Sequence, residues 1–137
     1  MLTPTLPAFR YEDIRIVNSS WWPIWIGPQQ QHEPGSAIGS KCALTWPILP
    51  GDECPTQGCV DFRNITLRRV TVENATLSPG VLLGNSSNPM QVTFEDVVVH
   101  EPSLFPFLGN YKCENVHGSF SGSSPVPKCV VNSSASS

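Results

Sequence analysis

Residues 60–74 read Val-Asp-Phe-Arg-Asn-Ile-Thr-Leu-Arg-Arg-Val-Thr-Val-Glu-Asn, and the phrase recurs along the chain. Residues 9–18 read Phe-Arg-Tyr-Glu-Asp-Ile-Arg-Ile-Val-Asn, and residues 92–99 read Val-Thr-Phe-Glu-Asp-Val-Val-Val. The shared core is an aromatic residue, any residue, Asp or Asn, then Ile/Val-x-Ile/Val/Leu; a fainter copy begins at Cys113-Glu114-Asn115-Val116. Apolar and polar residues alternate within each copy, the period of a half-buried strand. Alternation puts Phe62, Asn64 and Thr66 on one face and Ile65 and Leu67 on the other, and leaves open which face points inward.

Aligned on Tyr11, Phe62, Phe94 and Cys113, the copies stand 51, 32 and 19 residues apart. A strict solenoid holds one period of ~20–50 residues. The drift fits one short coil with loops of varying length between stacked strands. This alignment puts Asp13, Asn64, Asp96 and Asn115 at equivalent positions. Stacked, each Asn NH₂ could donate to a neighbouring Asp; otherwise the four are surface residues without contact. Second strands are expected at Pro23–Gly27, Pro79–Asn85 and Leu104–Asn110, each a proline, an apolar run and a glycine. No segment holds ten residues of helical periodicity. Strand, turn, strand, glycine turn is the grammar of an all-β fold, a right-handed single-stranded parallel β-helix. Its coils fill residues 1–130, with a long proline-rich loop at 27–58 and a disordered Ser-rich tail at 131–137.

Charged residues make up only 14 % of the chain, well under the ~25 % usual for soluble domains. The net charge of −3 leaves no basic footprint for nucleic acid, and no apolar run approaches the ~18 residues of a membrane span. Five N-x-Ser/Thr sequons, at Asn18, Asn64, Asn74, Asn85 and Asn132, stand beside five cysteines. Together they point to the secretory route, hence a secreted glycoprotein. Met1-Leu2-Thr3-Pro4 has neither the basic start nor the apolar core of a signal peptide, so the signal is expected upstream and the chain is expected to be a fragment. Five cysteines cannot all pair internally. A Cys42–Cys54 bridge is the preferred reading, leaving Cys59 odd.

The phrase Phe-x-Asn-Ile-Thr-Leu-x-x-Val-Thr-Val, the strand Ser78-Pro79-Gly80-Val81 and the closing Lys112-Cys113-Glu114-Asn115-Val116 resemble the last coils of the polygalacturonases, β-helix glycoside hydrolases of the pectin-lyase fold. The likeness covers residues 9–130 and implies a Cys113–Cys129 disulfide. It also implies a parent reaction, inverting hydrolysis in pectin-like polymers, which needs a carboxylic acid and a carboxylate ~6.5–9.5 Å apart. In that family the carboxylates come from Asn-Thr-Asp and Asp-Asp motifs, followed by Gly-His-Gly and Arg-Ile-Lys. None of these occurs here. The resemblance therefore supplies no catalytic residue, and the expected function is the non-catalytic C-terminal portion of such an enzyme. A family tyrosine expected near Ile26-Gly27-Pro28-Gln29 is also missing. The alternative is a non-enzymatic extracellular module that binds carbohydrate or protein through the 27–58 loop.

Gln29, Gln30, Gln31 and His32, at the start of that loop, are the candidate substrate contacts. Trp21, Trp22, Trp25 and Trp46 could stack on sugars but read more readily as core. His32, His100 and His117 are too scattered for a metal site, and no cofactor or metal is expected. Glu12-Asp13 and Glu95-Asp96 are adjacent on strands and so should face opposite ways, poor candidates for an acid–base pair. A pectin-like polysaccharide is the expected partner, through the parent protein. The isolated chain is expected to self-associate through its open N-terminal coil.

Overall fold

The computed structural model describes residues 9–28, 46–48, 54, 62–128 and 131–132. Across those residues the fold is all β, in two parallel sheets with no helix. Long strands β1 (Phe9–Val17), β3 (Ile65–Glu73), β5 (Met90–Val99) and β7 (Val116–Ser121) lie side by side in that order, with β8 (Val131–Asn132) beyond β7. Short strands β2 (Ile24–Ile26), β4 (Gly80–Leu83) and β6 (Lys112–Glu114) make the second sheet. The chain passes from one sheet to the other and back. Parallel neighbours need such a crossover, because no tight hairpin can join them. The arrangement is compatible with a β-helix. β8 falls inside the stretch read as a tail, and pairs with His117 and Gly118.

The register differs from the one expected. Tyr11 lies beside Leu67, Leu67 beside Phe94, and Phe94 beside Phe120. The first step spans 56 residues. Phe62 lies just ahead of β3, and Cys113 belongs to the other sheet. Aligning on Phe62 and Cys113 misplaced two of the repeats, because register follows the inward apolar set.

Each of these repeats also bends at one place. Asp13, Arg69, Asp96 and Gly122 have left-handed φ values of 56°, 52°, 55° and 59° and lie opposite one another. Around that bend alternation breaks: Phe94 is buried, Glu95 half-buried, Asp96 exposed, and Val97 buried again. One additional outward residue turns the strand, as a bulge does, and lets the inward set resume. This corrects two expectations. Glu12-Asp13 and Glu95-Asp96 both face outward as pairs, and the stacked position holds Asp13, Arg69, Asp96 and Gly122 rather than alternating Asp and Asn.

Inward residues of both sheets meet in one core, with Leu67, Val70, Phe94 and Val97 from the long strands and Ile24, Leu82 and Cys113 from the short ones. Phe94 makes edge-on contacts with Tyr111 and Phe120, at centroid distances of 6.0 and 5.1 Å. β4 is buried on both faces. Leu82 enters the main core, while Val81 and Leu83 pack with Trp22, Trp46 and Leu77 in a second cluster that Trp21 and Trp25 partly cover. The tryptophans are thus chiefly core, as expected.

The strand expected at Leu104–Asn110 is instead a turn, and β6 takes its place. Leu108 and Gly109, at φ 56° and 79°, carry the chain out of extended geometry. Cys113, beside Leu82, supplies the inward side chain. Leu104, Phe105 and Leu108 are left exposed on the turn.

Candidate functional site

β1 and β2 are the outer strands of their sheets on the same side of the molecule, since β1 covers β3 and β2 covers β4. Among the described residues no strand lies beyond them. Among the described residues, the inward residues of these two strands therefore have strand neighbours on one side only. Leu67 and Phe94 are buried, while Tyr11, in register with them, is 49 % exposed. Ile14 and Ile16 are half-buried where Val70 and Val72 are fully covered. The result is an apolar bowl of about 690 Å³, walled by Phe9, Tyr11, Ile14 and Ile16 of β1, Ile24 and Ile26 of β2, and floored by Ile65, Leu67 and Val70.

The outward face of the long sheet is charged. Glu12, Arg68 and Glu95 occupy one row across β1, β3 and β5, and Asp13, Arg69 and Asp96 the next. Arg69 donates through Nε and Nη2 to the Asp13 carboxylate, and Nη2 lies 3.6 Å from Glu12. Arg68 Nε lies 3.2 Å from Glu95. The hydrogen bond from Arg69 is the main reason that the Asp13 carboxyl sits below its ordinary value, and the same bond raises the Arg69 guanidinium. Arg15 donates to Glu73 at 2.6 Å. At the far end of β1 a second stacked pair appears, where Asn74 Nδ2 donates to Asn18 Oδ1 at 2.6 Å. This is an amide ladder, two residues that sequence reading took only as sequons.

The expected substrate contacts Gln29, Gln30, Gln31 and His32 lie outside the described residues. His100 is exposed, His117 is half-buried, and among the described residues no cluster of His, Cys, Asp and Glu could hold a metal ion. Of the sequon residues, Asn18, Asn64 and Asn74 are exposed. Asn85 is half-buried, with Oδ1 accepting from the Ser87 amide and hydroxyl, and Asn132 lies in β8. Cys54 and Cys113 are each disulfide-bonded. Cys42 and Cys129, their expected partners, lie outside the described residues, as does Cys59.

The arginine doublet Arg68-Arg69 and the bowl were missed. The signal for the doublet was present, since two adjacent polar residues between Leu67 and Val70 break the alternation as Glu12-Asp13 and Glu95-Asp96 do. No family model, no curated protein and no solved structure matches this chain.

Proposed function

We propose that the chain is the terminal, non-catalytic part of a secreted right-handed parallel β-helix resembling the polygalacturonases. Its role is to complete the stack and cover one end of it. A stack of parallel coils presents unpaired strand edges and apolar side chains wherever it stops, so an end needs cover. The observation that carries the reading is the shared register of β1, β3, β5 and β7, with apolar residues inward at every step and the bend repeated at one position. The acidic pairs Glu12-Asp13 and Glu95-Asp96 stand at that bend opposite Arg68 and Arg69, which suits a structural role. The substrate of the parent protein is a pectin-like polysaccharide, and its sequons carry glycans along the secretory route.

The test is hydrolysis of polygalacturonate by this purified chain beside a form extended upstream to the nearest secretion signal. Release of reducing sugar by the extended form alone is the expected result. Activity of the short chain, or of neither form, overturns the reading.

A further inference from the structure

We infer that Asn18 carries a glycan in the folded chain and that Asn74, stacked beside it, stays bare. The inference rests on the secretory reading above and names which amide of one pair is the modification site.

Both residues open a sequon, Asn18-Ser19-Ser20 and Asn74-Ala75-Thr76, and both are exposed. By sequence the two are equivalent acceptors. The fold makes them unequal. β1 and β3 run in register as far as Val17 and Glu73, so Asn18 and Asn74 form the next row. Both sit in the left-handed region, at φ 61° and 52°. The Asn18 backbone amide donates to the Glu73 carbonyl at 3.0 Å, and beyond the pair the Thr76 amide donates to the Ser19 carbonyl at 2.8 Å. Backbone bonds on either side thus hold the two side chains together. Asn74 Nδ2 donates to Asn18 Oδ1 at 2.6 Å. Asn18 enters that bond through its oxygen, and Asn74 through its nitrogen.

Glycosylation acts on the nitrogen. Nδ2 attacks the anomeric carbon of an oligosaccharide carried on a lipid diphosphate. The N–C bond forms, the C–O bond to the diphosphate leaving group breaks, and one amide proton is released. The modified amide keeps its carbonyl oxygen and a single N–H. At Asn18 the oxygen is all the pair requires, so a glycan there leaves the bond from Asn74 intact. At Asn74 the sugar sits on the donating nitrogen itself, 2.6 Å from Asn18. The bond then survives only with the one remaining N–H aimed along the row and a sugar ring beside Asn18. Transfer precedes folding, when both sequons are open, and the fold acts as the filter. Chains modified at Asn74 fold with a weakened pair and are depleted from secreted material.

The test secretes the full chain from eukaryotic cells behind an appended signal peptide and reads each sequon by glycopeptide mass spectrometry. Asn18 should be modified, and Asn74 occupied on the order of fivefold less, the equilibrium weight of one hydrogen bond. Two variants identify the cause. Ser20→Ala removes the Asn18 sequon but keeps its amide oxygen, so Asn74 should stay bare. Asn18→Gly removes the oxygen and tolerates the left-handed backbone, so occupancy of Asn74 should rise to that of Asn18 in the wild type. Equal occupancy of the two in the wild type overturns the proposal. So does a rise at Asn74 in both variants, which marks crowding between glycans, or in neither, which marks a poor sequon. Glycans at other sequons with Asn18 bare also overturn it, while the secretory reading stands. If no sequon is modified, the secretory reading fails and takes the proposal with it.

Discussion

Arg69 donates from Nε and Nη2 to the two carboxylate oxygens of Asp13 on the neighbouring strand, and both residues are in the left-handed backbone region at the bend of their strands. A bidentate pair of this kind holds planar groups in one geometry. Here it ties together two strands 56 residues apart in sequence, at the point where both change direction.

That pair gives the chain a pH dependence with a definite sign. The Asp13 carboxyl lies below its ordinary value of 3.8, chiefly through the Arg69 hydrogen bond. A depressed carboxyl contributes stability above its unfolded value, and the contribution is lost as pH falls through the folded one. Melting temperatures of the wild type and Asp13→Asn should differ modestly at pH 6. The gap should narrow as pH falls below 3.8 and close once pH has passed the lowered folded value of Asp13. Both groups are exposed, so added salt should narrow the gap at pH 6 as well.

Phe94 anchors the main core, fully buried between Tyr111 and Phe120. Removing its ring leaves a cavity that the surrounding strands cannot close. Phe94→Ala should cost about 3–5 kcal/mol. Urea denaturation should show a lower midpoint with an unchanged slope.

Ser78 and Ser103 exchange hydrogen bonds, each backbone amide donating to the other's hydroxyl at 2.9 Å. The Ser103 hydroxyl also donates to the Ser78 carbonyl at 3.0 Å. Ser78 is 2 % exposed, so loss of the Ser103 hydroxyl leaves its amide without either partner or water. Ser103→Ala should destabilise by about 1–3 kcal/mol, the cost of a buried unpaired polar group. Thermal melting checks the size, and faster exchange of the Ser78 amide checks the cause.

Gly84 follows β4 where a side chain has no room. A Cβ there would lie 2.1 Å from the Asn115 carbonyl oxygen, part of the backbone and unable to swing aside. Gly84→Ala should cost about 1–3 kcal/mol through forced backbone movement. The Gly84 amide donates to Glu114 at 2.8 Å, and loss of its exchange protection would locate the damage between β4 and β6.

Strand content was legible because alternation is local: each residue's facing follows from its immediate neighbours. Phe9–Val17, Ile65–Glu73 and Met90–Val99 were therefore found as strands, and so were the short strands after Pro23 and Pro79. The tryptophans could be read as core for the same reason, since β2 and its flanks alternate. Leu104–Asn110 misled because its apolar run imitates a strand while its backbone turns.

Register and the bowl are properties of contact between segments far apart in sequence, and only the tertiary structure decided them. The one-residue step at Asp13, Arg69 and Asp96 becomes visible as a bend once the strands are stacked, because it acts by restoring inward facing on a neighbour's rung. Likewise no composition reveals that β1 and β2 end their sheets on the same side. By itself the sequence determined which residues prefer to be covered; stacking determined which of them are, since burial depends on what lies on both sides of a strand.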